Sequence, residues 1–139
     1  WARRIDHANI AFLVTACGVP HSLLFSDKLI NYIGIAICFA LAILNAFLCV
    51  YDLIRFKRAG VIIDAVIGAI LLVLYVININ SPYATLEVNL CFLIGLILCA
   101  SGLALYPIKK KFIHTVFHIV TLFGPLLMMV GAVLVFNLA

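Results

Sequence analysis

The sequence has 139 residues, of which 68% are hydrophobic and 10% are charged, and its formal net charge is +4. A soluble domain is about half apolar and about a quarter charged. The composition therefore excludes a soluble globular protein and predicts an integral membrane protein with one domain, residues 1–139. Membrane proteins carry an excess of lysine and arginine in the connections on one side of the membrane, and this accounts for the net positive charge. Nothing in the sequence predicts a nucleic-acid partner.

Five apolar stretches follow one another along the chain, at 7–25, 29–51, 59–78, 88–106 and 112–136. Each has about the 20 residues that a helix needs to cross a hydrocarbon core about 30 Å thick. Open strands cannot satisfy their backbone in lipid. We therefore expect an all-α fold with five transmembrane helices and short connections at 26–28, 52–58, 80–82 and 107–111. Pro20 and Pro125 are expected to kink or end their helices.

Lysine and arginine lie almost entirely at one end of the predicted bundle. With five helices, the amino terminus and the connections 52–58 and 107–111 share one side, and that side holds eight of the nine basic residues. The other side holds only Lys28. Because basic residues are retained in the cytoplasm, the amino terminus is predicted to be cytoplasmic, with the protein in the plasma membrane.

Ionisable residues gather near this basic end on three of the predicted helices. The first helix begins at Asp6 and His7, the third carries Asp64 in its second turn, and the fifth carries His114 and His118 in its first two turns. Polar residues at one depth on several helices indicate a site between those helices. They do not line a path across the membrane, which favours a local site over a pore.

The four-residue spacing of His114 and His118 has two interpretations. Residues four apart lie on one face of a helix, so neutral imidazoles at this spacing can share a metal ion. The alternative is a pair of histidines hydrogen-bonded at a helix end near the lipid headgroups. The spacing alone does not decide between them.

Other polar residues have structural interpretations that stay open. Asp6 is suited to cap the amino end of the first helix. Asp64 is placed to form an ion pair with Arg58 at the membrane surface. Asn45, in the middle of the second helix, is expected to form a hydrogen bond between helices. His21 is expected at the opposite membrane surface.

Two motifs resemble the hemolysin III and progestin/adipoQ receptor family. Residues 4–10, RIDHANI, running on to Pro20, resemble the family's third-helix motif of a basic residue, an apolar residue and an Asp, closed by a proline fourteen residues after the Asp. Residues 105–111, followed by His114 and His118, resemble the end of the sixth helix and the HxxxH motif of the seventh. The motifs stand in the family's order, so the resemblance covers the chain as the last five of seven helices.

The resemblance implies a zinc ion near the cytoplasmic face. His114 and His118 would be two of its three histidine ligands, and Asp6 would hydrogen-bond a water on the ion. The family's third histidine belongs to its second helix, which would precede Trp1, so we expect the chain to be a piece of a longer protein. Zinc with three protein ligands keeps a position for water.

The resemblance implies zinc-dependent hydrolysis of a lipid amide, with a membrane lipid of the ceramide type as substrate. Asp6 would then be catalytic. Two other classes remain, a receptor or signalling protein with structural zinc and a pore-forming protein of the hemolysin type. The oligomeric state does not follow from the sequence.

Overall fold

The protein is described by a computed structural model that covers residues 2–25, 28–82, 84–105, 108 and 111–138, without the side chains at positions 2, 3, 6, 7, 24, 25, 53, 103, 111, 114 and 138. Five helices account for this part of the chain: α1 (Ala2–Phe25), α2 (Leu29–Asp52), α3 (Ile54–Asn78), α4 (Leu86–Leu105) and α5 (Lys111–Leu138). These residues include no strand, so the predicted all-α fold is confirmed.

The connection between α2 and α3 is much shorter than predicted. Helical geometry runs from Leu29 to Asn78 and is interrupted only at Asp52, with φ −153° and ψ 91°. The Asp52 Oδ1 atom accepts the backbone N–H groups of Ile54 and Arg55, each at 3.1 Å. This is an N-cap, which satisfies the first donors of α3. The prediction of a connection over 52–58 is therefore wrong, because the capped helix begins at once and carries the basic residues on its first turns.

Within the part of the chain that the structure describes, three helices are long and apolar enough to cross a membrane, namely Leu29–Asp52, Ile54–Asn78 and Thr115–Asn137. The apolar parts of α1 and α4, Ala8–Leu23 and Leu86–Gly102, are shorter. Large apolar side chains cover the outside of the bundle, a surface that suits lipid and not water. The chain is a helical membrane protein, and five complete spans remain a prediction. Pro20 and Pro125 end neither helix and lie inside α1 and α5.

The helices pack as a group of three and a pair. α1 packs on α2 and α3, and α4 packs on α5. The first contact is a buried cluster of small and branched side chains: Ala11, Cys38, Ala42, Ile67 and Leu71. A second cluster joins the two groups across α1, α3, α4 and α5: Cys17, Tyr75, Phe92, Leu96 and Met128.

The contact between α2 and α3 repeats every seven residues. Three successive layers are formed by Asn31 with Asn78, Cys38 with Leu71, and Asn45 with Asp64. A seven-residue repeat is the spacing of a left-handed helix pair. The outer layers are polar and hydrogen-bonded across the pair, while the middle layer is apolar.

His21 is buried between helices, where the sequence had predicted a histidine at the membrane surface. Its side chain is 4% exposed, and its ring stacks on Phe92 with the ring centroids 3.8 Å apart. Tyr75 lies at 5.3 Å on another side. Because α1 continues through Pro20 to Phe25, it carries His21 between α3 and α4.

The crossing of α4 and α5 depends on two glycines. A Cβ atom at Gly95 would lie 2.7 Å from the backbone oxygen of Gly124 and 2.8 Å from Met128 Cγ. A Cβ atom at Gly124 would lie 2.6 Å from Cys99 Sγ. Small residues let helix backbones approach closely in a membrane, so any side chain here must push the helices apart.

We therefore predict that Gly95→Ala lowers the free energy of unfolding by about 1–3 kcal/mol, the usual cost of overpacking. Gly68→Ala on α3 is the matched control, since its Cβ would meet nothing within 4 Å. That change should be neutral or should stabilise by up to about 1 kcal/mol, because alanine favours helix more than glycine does. Thermal unfolding in one detergent measures both. Equal transition temperatures for the two variants would contradict the assigned crossing.

Candidate functional site

A cavity of about 450 Å³ lies between the three-helix group and the α4–α5 pair, and we call it the main cavity. All five helices contribute to its walls. Most of the lining is aliphatic, and its polar side chains are Asn45, Cys49, Lys57, Asp64, Cys99 and Thr121. An apolar pocket of about 300–1,000 Å³ with a few convergent polar groups is the usual form of a small-molecule site.

A hydrogen-bonded chain of three side chains lies in one wall of the main cavity. The Cys49 thiol donates to Asn45 Oδ1 at 3.6 Å, and Asn45 Nδ2 donates to Asp64 Oδ1 at 2.8 Å. The predicted role of Asn45 as a hydrogen bond between helices is confirmed. The partner of Asp64 is thus an amide on α2, where the sequence had suggested Arg58. The chain of hydrogen bonds fixes the direction in which the Asp64 carboxyl points.

Gly60 makes room for this arrangement. A Cβ atom at Gly60 would lie 2.8 Å from Asn45 Oδ1. A side chain there would displace the amide and with it the donor to Asp64. The glycine is therefore part of the polar site, although it carries no polar group of its own.

A second cavity, of about 520 Å³, lies between α1 and α5, and we call it the His118 cavity. His118 lines it together with Asn9 and Ile10 of α1. Ile10 and Thr121 line both cavities, so the two spaces are neighbours at one level of the bundle. The His118 ring also meets the Phe117 ring edge-on, with centroids 5.0 Å apart.

The predicted site residues are only partly within the described structure. The side chains of Asp6, His7 and His114 lie outside the described residues, although their backbones belong to α1 and α5. His118 is described, and it lies one helical turn after His114, just as Ile10 lies one turn after Asp6. Among the described residues, no group of three or more His, Cys, Asp or Glu side chains could hold a metal ion. Zinc binding therefore remains a prediction.

Positive charge flanks this end of the bundle. Arg4 Nη1 donates to the backbone oxygen of Val50 at 2.9 Å, which ties the start of α1 to the end of α2. A cation at the carboxyl end of a helix is favoured by the helix dipole. Arg55, Lys57 and Arg58 occupy the first turns of α3 on the same side. The two cavities are therefore adjacent to the basic end of the bundle.

No known protein helps to interpret the site. The chain matches no family model, and neither a curated protein nor a solved structure is similar to it at a significant level. The interpretation therefore depends on the residues of the chain and on the motifs quoted above. One signal in the sequence indicates the pairing of α2 with α3, namely the fourteen-residue spacing, two steps of seven, that separates Asn31 from Asn45 and Asp64 from Asn78.

We predict that Asn45 and Asp64 are energetically coupled. In a double-mutant cycle with Asn45→Ala and Asp64→Ala, the two changes should be non-additive by about 0.6–1.7 kcal/mol, the range measured for hydrogen bonds between membrane helices. The measurement is the free energy of unfolding in detergent. Asn31→Ala, two layers away, is the control partner and should add to Asp64→Ala. Additivity in both cycles would show that the Asn45–Asp64 contact does not stabilise the fold.

Proposed function

We propose that the protein is a zinc-dependent hydrolase of lipid amides, of the hemolysin III and adipoQ receptor type, with its metal site near the basic end of the bundle. The observation that carries the proposal is the position of His118. Its imidazole lines a cavity between α1 and α5, beside Asn9 and Ile10. These are the two helices that carry the motif residues Asp6 and His114.

In this proposal the chain's own residues divide the work. His114 and His118 would hold the ion, and the resemblance assigns the third histidine to another helix of the family. When bound, zinc would supply an activated water at neutral pH. Asp6 would orient that water and serve as its general base, a contribution of about 10²–10⁴-fold in rate.

The walls of the two cavities suit a lipid substrate. The His118 cavity is lined largely by apolar side chains such as Phe12, Leu13 and Leu122. The main cavity is more apolar still and continues from the shared residues Ile10 and Thr121. The amide group of a lipid could reach His118 while its hydrocarbon chain stays in an apolar environment. The free-energy cost of moving the chain from the bilayer into the cavity is then small.

We further propose that the basic end faces the cytoplasm and that the protein lies in the plasma membrane. Eight of nine lysine and arginine residues lie at that end. We predict that the variant Arg55→Cys, in a background without the native cysteines, reacts with a membrane-impermeant maleimide only after permeabilisation. Glu87→Cys, at the other end of the bundle, is the matched control and should react in intact cells. The reverse pattern would invert the topology.

The metal prediction is tested on purified full-length protein. His114→Ala and His118→Ala should each reduce the zinc content, because removal of one ligand lowers the affinity of the site for the ion. The double variant should hold close to no zinc. His21→Phe is the control, since it removes an imidazole but keeps the ring that stacks on Phe92. Elemental analysis gives the result. Unchanged zinc in the double variant would refute the ligand assignment.

Asp6→Asn separates catalysis from structure in the same preparation. Because α1 begins at Ala2, Asp6 lies inside the helix and does not cap it, contrary to the structural interpretation from the sequence. Asparagine keeps the shape of the side chain, but it cannot take a proton at neutral pH. Zinc content and folding should survive, while hydrolysis of a ceramide-like lipid should fall about 10²–10⁴-fold. Equal hydrolysis by wild type and variant would remove Asp6 from the mechanism. Zinc without hydrolysis in the wild type would indicate a structural ion and a receptor or signalling role.

A further inference from the structure

The main cavity is long and follows α3. On this helix its wall runs from Lys57 to Leu72. Fifteen residues at 1.5 Å per residue give a length of about 22 Å. Beyond Asp64, as far as Leu72, every lining residue of α3 is apolar, over about 12 Å. The cavity is therefore long enough for an extended hydrocarbon chain, and its polar residues on α3 lie towards one end.

This cavity opens sideways through an apolar surface. Several of its lining residues on α3 and α4 are also exposed on the outside of the bundle: Ala65, Ala69, Leu72, Leu93, Ile97 and Ala100. Leu72 is 42% exposed and Ile97 is 58% exposed. In a membrane helix these positions contact the hydrocarbon chains of lipids. A molecule that enters here comes from the bilayer.

Gly68 shows that the space is open at the centre of this wall. It lines the main cavity, and a Cβ atom on it would meet nothing within 4 Å. This contrasts with Gly60, eight residues earlier on α3, where a Cβ atom would touch the Asn45 amide. The interior beside Gly68 therefore has room for a side chain, or for the chain of a ligand.

Asp64 is the acidic side chain at the polar end of the main cavity. Asn45 occupies Oδ1, while a carboxylate has two oxygens and about four acceptor positions. A carboxylate inside a membrane segment is costly unless it is paired, and such a residue usually marks a binding site. A ligand group that carries N–H donors and positive charge complements it, whereas a carboxylate is repelled. Lys57 also lines the cavity, seven residues and about 10 Å nearer the basic end along α3.

We propose that the main cavity binds a single-chain lipid with an ammonium head, a long-chain amine, and that Asp64, held by Asn45, recognises the head while the apolar wall from Ala65 to Leu72 holds the chain. The site uses only residues of this chain, and it does not require the zinc ion or the hydrolysis proposed above. Charge-assisted hydrogen bonds make the amine the preferred head.

The test measures equilibrium binding of three probes with the same chain, dodecylamine, dodecanol and dodecanoate, to full-length protein in phosphatidylcholine nanodiscs. A chelator is present, so the result is independent of zinc, and empty nanodiscs give the background. The amine should bind at least about tenfold more tightly than the alcohol, and the carboxylate most weakly. Asp64→Asn should abolish the preference. Asp52→Asn, the same change at the cap of α3 outside the cavity, should keep it.

A second variant blocks the chain without touching the polar group. Gly68→Leu places a side chain in the open space, so the fold should survive while binding of all three probes falls to the background. This variant decides the matter even where Asp64→Asn fails to fold. Equal affinity for the three heads, a preference that survives Asp64→Asn, or binding unchanged by Gly68→Leu would each overturn the proposal. Loss of zinc or of hydrolysis alone would leave it standing.

Discussion

A polar side chain inside a membrane must find its partner within the protein, and this constraint organises the helix pair α2–α3. The amide of Asn45 donates to Asp64, and two layers away Asn31 and Asn78 bond to each other. Burying such groups without partners costs several kcal/mol each. Sliding α3 by one seven-residue step would place Asn45 against Leu71 and break both polar layers. The two pairs therefore specify one register, as buried polar residues do in coiled coils.

Once this register is fixed, glycines decide where helices touch and where they leave space. Gly95 and Gly124 bring α4 and α5 into close backbone approach. Gly60 admits the Asn45 amide, and Gly68 borders open space. The pair α4–α5 meets the other three helices through the cluster around Tyr75 and Phe92 and through the packing of α5 on α1. The main cavity is the space that this limited contact leaves beside α3.

Hydropathy was sufficient to predict the helices and insufficient to predict their contacts. Apolar runs located all five helices, because length and composition determine what can lie in a membrane. They misplaced the start of α3, since a single Asp52 cap replaced the expected connection. They also did not show that His21 is buried. The faces of a membrane helix are all largely apolar, so mean hydropathy does not show which face packs against other helices. To predict that Asn45 is the partner of Asp64, one must know the register of α2 against α3, and in the sequence only the seven-residue repeat indicates it.

The short turn at Asp52 also bears on how the protein is made. Only Leu53 separates α2 from α3, so the two helices cannot lie apart in the bilayer or enter it far from each other. The structure predicts that they enter the bilayer together as one antiparallel hairpin, whose tip carries Arg55, Lys57 and Arg58. During synthesis the hairpin can then form its amide pairs before α4 and α5 have left the ribosome. The one-residue connection therefore couples the insertion of α2 to that of α3.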